Sequence, residues 1–150
     1  MAGKKQFSTF VVDRLLLGVE VEKVQEVIRY QEMTCVPLAP SVVKGLINLR
    51  GQIVTAVDLR RRLDLRERAT GELPMNVVIR QDDGAVSLLV DEIGDVLEVE
   101  EEKFEPPPET MDSKARKLIR GVYKLSDRLM HVLDTDATVR VGGGRQQKEG

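Results

Sequence analysis

Apolar residues along the chain fall in short runs of about four to seven, divided by polar turn residues. Runs of that length, rich in Val and Ile, suit β-strands better than helices. The pattern predicts strands over 7–12, 15–21, 45–49 and 52–57, then over 76–81, 85–90, 119–125 and 128–133. Asp13-Arg14, Arg50-Gly51, Asp82-Asp83-Gly84 and Ser126-Asp127 stand where hairpin turns are needed. Residues 21–29 are ambiguous. Val21, Val24, Val27 and Ile28 have helical spacing, yet four β-branched residues favour a short turn and then a strand. Asp58 can cap a brief basic helix running to Leu63.

The chain resembles itself. Moved by 69 positions, residues 19–28 lie over 88–97: apolar at the first and third positions, acidic, branched apolar, acidic, then Val and another aliphatic. Moved by 76, residues 45–58 lie over 121–134, each block opening on Gly and closing on Asp. The offset grows by seven, and the three consecutive prolines Pro106, Pro107 and Pro108 mark a place for the insertion. Repeat one then covers about 7–66 and repeat two about 76–141, with strands free to cross between them. Each half has the size of a small barrel, of which the five-stranded OB fold is one type. Residues 142–150, with Gly142-Gly143-Gly144, read as a flexible tail.

Composition narrows the function. The 150 residues are 41% hydrophobic and 32% charged, enough for a core of their own. A net charge of −2 and 3% aromatic residues lack the basic excess and stacking platforms of a nucleic-acid-binding barrel. One His and one Cys allow neither an intrachain disulfide nor a Cys/His zinc site, and are compatible with a reducing compartment. No apolar segment reaches a membrane span, and the basic start is not followed by a signal-peptide core. The expected location is cytoplasmic, with any membrane association made through a partner.

Catalysis has little to work with. His131 reads as a sheet residue and Cys35 as a small packed one. There is no P-loop and no GxGxxG. Two charge clusters, Arg60, Arg61, Arg62, Arg66 and Arg68, and the acids from Asp91 to Glu105, read as solvated faces. The expectation is no enzyme, no cofactor and no metal. Val24, Val27 and Ile28 divide between core packing and recognition, whereas Arg50 at a hairpin tip can reach a partner's carboxylate.

The motifs Lys23-Val24-Gln25-Glu26 and Asn48-Leu49-Arg50-Gly51 stand together with Val57-Asp58-Leu59-Arg60, Leu89-Val90-Asp91-Glu92-Ile93 and Gly121-Val122-Tyr123. In this order they resemble the CheW-type chemotaxis coupling proteins over about 7–141. The resemblance implies an all-β module of two small five-stranded barrels, OB- or SH3-like, with short helical turns and a third apolar core between them. It also implies an adaptor that joins chemoreceptor cytoplasmic tips to the regulatory domain of the histidine kinase CheA at a membrane-associated array. Carried over by position, the receptor-binding candidates are Val24, Glu26, Val27, Gly45 and Arg50, while no motif marks individual kinase contacts. Leu17 and Thr55 stand where the family often has an aromatic residue and a proline. The rival reading is a small-ligand-binding or enzymatic duplicated barrel, which would need convergent polar groups in a pocket.

Overall fold

A computed structural model describes residues 3–82 and 84–140, so the tail expected over 142–150 lies outside the described residues. Ten strands form: β1 (Lys4–Val12), β2 (Leu15–Glu20), β3 (Val24–Ile28), β4 (Val43–Leu49) and β5 (Gln52–Asp58), then β6 (Met75–Gln81), β7 (Gly84–Val90), β8 (Glu92–Glu100), β9 (Ile119–Lys124) and β10 (Leu129–Leu133). Three short helices accompany them: α1 (Leu59–Arg62), α2 (Ser113–Arg116) and α3 (Thr135–Val139). The acidic strand β8 was not among the expected elements. Its residues are mostly exposed, and Glu92, Asp95, Glu98 and Glu100 break up its apolar positions, so no apolar run marks it. The expected helix after Asp58 is present, and the Asp58 carboxylate accepts from the Arg60 amide at 3.0 Å.

The strands make two five-stranded sheets in the orders β8-β1-β2-β10-β9 and β3-β6-β7-β5-β4. The first sheet draws strands from both ends of the sequence, and the second takes the five strands between them. The two are alike in register. The hairpin pair Val12↔Leu15 in the first corresponds to Gln81↔Gly84 in the second, and the parallel pair His131↔Leu17 corresponds to Thr55↔Val86. Both follow the offsets of 69 and 76. The ladders stay open between β8 and β9 and between β3 and β4. Single bridges, Glu105↔Val122 and Thr34↔Leu46, narrow each gap.

Alternation along β1, β2, β6 and β7 divides the apolar residues between two faces. One face of each sheet meets the other in a shared core containing Phe10, Leu17, Val77, Ile79, Leu88 and Val90. The opposite faces curl around smaller cores, with Phe7, Tyr123 and Met130 in the first sheet and Ile47, Val54 and Val78 in the second. The all-β architecture with a core between two five-stranded units is the one expected.

Candidate partner-binding site

The candidate residues lie at the open edge of the second sheet. A 3-10 turn over Val21–Lys23 delivers the chain into β3, an edge strand paired with β6. The register shifts between Val24 and Glu26, so Gln25 is the extra residue of a β-bulge. Val24 then stands opposite Ile79 and Val27 opposite Val77, both on the face of the shared core. Val24 and Val27 thus share a face although they are three residues apart. Their helix-like spacing is the signature of the bulge. Val24 packs half-buried against the shared core, whereas Val27 is 36% exposed.

Glu26 stands opposite Val78, on the other face. Its carboxylate forms an ion pair with Arg50, at the tip of the β4–β5 hairpin. Arg50 and Gly51 both have positive φ, 51° and 91°, as a two-residue hairpin turn with right-handed strand twist requires. Asn48 Oδ1 accepts from the Gly51 amide at 2.9 Å and fixes the turn. The Arg50 side chain remains 70% exposed and that of Glu26 22%, so the pair contributes about 0–1 kcal/mol to stability and leaves most of the guanidinium free. Gly45 is buried and offers no surface. A Cβ there would lie 2.7 Å from the Thr34 carbonyl oxygen, because Thr34 and Leu46 exchange backbone hydrogen bonds across the sheet opening.

Four of the candidates therefore gather around one edge, and Gly45 lets that edge close. Sequence reasoning missed Ile53, which is 61% exposed and paired with Asn48 on the Arg50 hairpin. Its alternation with buried Val54 is visible in the strand, but an apolar residue in a strand reads as core.

Two other expectations change, those for Cys35 and the arginine cluster, while that for His131 holds. Cys35 is exposed rather than packed, because the loop carrying it runs outside the sheet. His131 is a buried sheet residue with Nδ1 3.1 Å from the Leu16 carbonyl oxygen. The arginine cluster is not simply a solvated face. Arg60 and Arg68 bind Asp91, with Nε–Oδ1 distances of 3.1 and 3.0 Å, and their side chains are 11% and 10% exposed. The Asp13 amide also donates to Asp91, at 2.6 Å. Burial alone would raise the Asp91 carboxyl, but hydrogen bonds from Arg60, the Asp13 amide and Arg68 hold it below its ordinary value.

No helix among the described residues is long and apolar enough to cross a membrane. The sequence matches the family described as the CheW-like domain over residues 6–142. It is 31% identical to the chemotaxis protein CheW of Bacillus subtilis over 130 residues, spanning 87% of this chain and 83% of that protein. It is 29% identical to the chemotaxis protein CheW of Treponema pallidum over 133 residues, spanning 86% and 78%. Among solved structures it is similar to the scaffolding protein TtCheW of Thermoanaerobacter tengcongensis, with a TM-score of 0.77, 26% identity and coverage of 87% and 89%.

Proposed function

The chain belongs to the CheW-like domain family, and from that premise we propose that it couples chemoreceptor cytoplasmic tips to the regulatory domain of CheA as a scaffold without catalysis of its own. Residues 7–141 act as one module built from two repeats, about 7–66 and 76–141. Its partners recruit it from the cytoplasm to the membrane-associated receptor array. The observation that carries the receptor half of this reading is one edge strand that exposes Val27 on one face and holds Arg50 through Glu26 on the other. Val27 and the flank of Val24 offer apolar contact to a receptor helix. Arg50, oriented by Glu26, offers a charged group whose free N–H donors suit a carboxylate on that helix. Gly45 sets the spacing of the edge.

Two modest surfaces on one rigid body raise the effective concentration of kinase beside receptor. The names of the relatives support the chemotaxis setting, and the scaffolding title of the similar structure supports an adaptor role. The test is capture of a receptor signalling tip and the kinase in one complex. Arg50→Ala should weaken receptor capture about tenfold and leave thermal stability within about 1 kcal/mol of the parent. Normal capture and normal kinase activation by that variant remove Arg50 from the receptor site.

A further inference from the structure

The acidic run that the receptor site does not use has its own geometry, on the other sheet. Glu98 and Glu100 lie at the end of β8, and Glu101 and Glu102 in the 3-10 turn that follows, all exposed. Beside them is a cleft of about 570 Å³ lined by Glu20, Glu22, Glu98 and Glu101, with Lys4 and Lys5. Lys5 is already engaged: its ammonium lies 3.4 Å from Glu20 and 3.7 Å from Glu101, and Glu20 holds it above the usual lysine value. Glu22 and Glu98 make no ion pair among the described residues.

The cleft runs into a second hollow of about 150 Å³, which shares Lys5, Glu20 and Glu101 with it. Phe7, Phe104 and Tyr123 wall this hollow. They are three of the five aromatic residues in the whole chain. Phe104 is 41% exposed, with its ring centroid 5.4 Å from that of Tyr123, which lies 5.6 Å from that of Phe7. Phe104 does not swing freely. Its ring rests on Gly121, where any Cβ would collide with it. Tyr123 is 4% exposed as a residue, and its hydroxyl, which has no protein hydrogen-bond partner among the described residues, is the part that reaches the solvent of the hollow. An aromatic wall, a spare phenol and flanking carboxylates together favour a cation with an apolar stem.

We propose that the acidic edge of the first sheet and the hollow beside it dock a basic segment of a partner protein, with one of its lysine or arginine side chains seated against Phe104 and Tyr123. The head of that side chain takes the phenol oxygen and shares Glu101 with Lys5, and its methylenes lie on the rings. Neighbouring basic residues of the segment run along Glu98 and Glu22. Arg120, at the rim of the hollow, opposes the incoming charge and makes the site selective for a segment that approaches from the Glu101 side. This surface meets the receptor strand only at the 3-10 turn that carries Glu22, and it does not depend on the receptor reading.

The test is titration of the full chain with a blocked hexapeptide in which arginine alternates with alanine, followed by calorimetry and amide NMR. The shifts should centre on Glu98, Glu101, Phe104 and Tyr123. Phe104→Ala should weaken binding about tenfold and Tyr123→Phe about threefold. Arg120→Gln should tighten it, and Arg50→Ala on the other sheet should leave it unchanged. Equal affinity in the Tyr123→Phe and Arg120→Gln proteins overturns the proposal, as do shifts scattered over every acidic patch. Tyr123→Phe and Arg120→Gln decide the matter even where Phe104→Ala fails to fold.

Discussion

Gly45 and Gly121 are glycines for the same physical reason. At each, a crossing segment lies too close for a methyl group: Thr34 with Met33 at Gly45, and Glu105 with Phe104 at Gly121. Both positions face the gap between two edge strands, which a single backbone bridge spans. A side chain there forces the bridge apart. Gly45→Ala should therefore destabilise the protein by about 1–3 kcal/mol, lowering Tm by several degrees in a domain of this size. A thermal melt followed by circular dichroism measures it. An unchanged Tm would mean that the bridge parts without cost. In the same melts Arg50→Ala should behave like the parent, since its ion pair is largely solvated. The two variants thus separate an edge that is badly built from an edge that has lost its contact.

At the scale of elements, Asp91 fastens three pieces from two distant parts of the chain. It joins the β1–β2 turn through the Asp13 amide, α1 through Arg60, and the segment after α1 through Arg68. Asp91→Asn leaves two nearly buried guanidinium groups poorly compensated, and should cost about 3 kcal/mol at pH 7. The folded carboxyl lies below its ordinary value. Its contribution is therefore present above the unfolded value, about 3.9, and is lost as pH falls through and below it. The stability gap between parent and Asp91→Asn should close on acidification from pH 5 towards pH 3. A gap of constant size across that range would remove the ion pairs as its source.

The hairpins β1–β2, β4–β5, β6–β7 and β9–β10 were legible in the sequence because each is a pair of short apolar runs joined by a turn signal. Strand β8 was not, because Glu92, Asp95, Glu98 and Glu100 interrupt its apolar residues and leave no run. The internal offset placed residues 88–97 over a stretch containing β3, which was the one available pointer to it. The bulge at Gln25 was hidden as well. One extra residue converts a two-residue period into a three-residue one, and Val24 and Val27 then resemble a helix face. Arg50 was readable as a hairpin tip, whereas its pairing with Glu26, 24 residues earlier, exists only once two edges of a sheet are brought together. The arginine cluster misled for a related reason: Asp91 lies 31 residues beyond Arg60, and local charge counting pairs only neighbours.

Over the whole molecule, neither half of the chain owns a sheet. The first sheet needs β1 and β2 from one end and β8, β9 and β10 from the other, and the second is assembled from the five strands between. A chain divided at Gly71, in the exposed connection between α1 and β6, should show this. Residues 1–70 alone have strands β1 and β2 with no partners for their outer edges, and β3, β4 and β5 without β6 and β7 between them. Each fragment by itself should have broad, poorly dispersed amide signals. An equimolar mixture should recover the dispersed spectrum of the intact chain. A fragment that folds alone would show that its strands find a different pairing.

The exchange of strands has a consequence for how the protein comes into being. As the chain leaves the ribosome, β1 and β2 emerge first, but the strands that flank them are among the last to be made. The first sheet cannot close until synthesis is nearly over, and closing it spans more than a hundred residues, which slows folding relative to a fold of local contacts. In the interval the β1–β2 hairpin carries Phe7, Phe10 and Leu17 uncovered, a stretch for chaperones to shield. A product that stops before β8 lacks three of the five strands of the first sheet, so the core shared by the two sheets cannot close. The last strands to be made are thus the ones that complete the module.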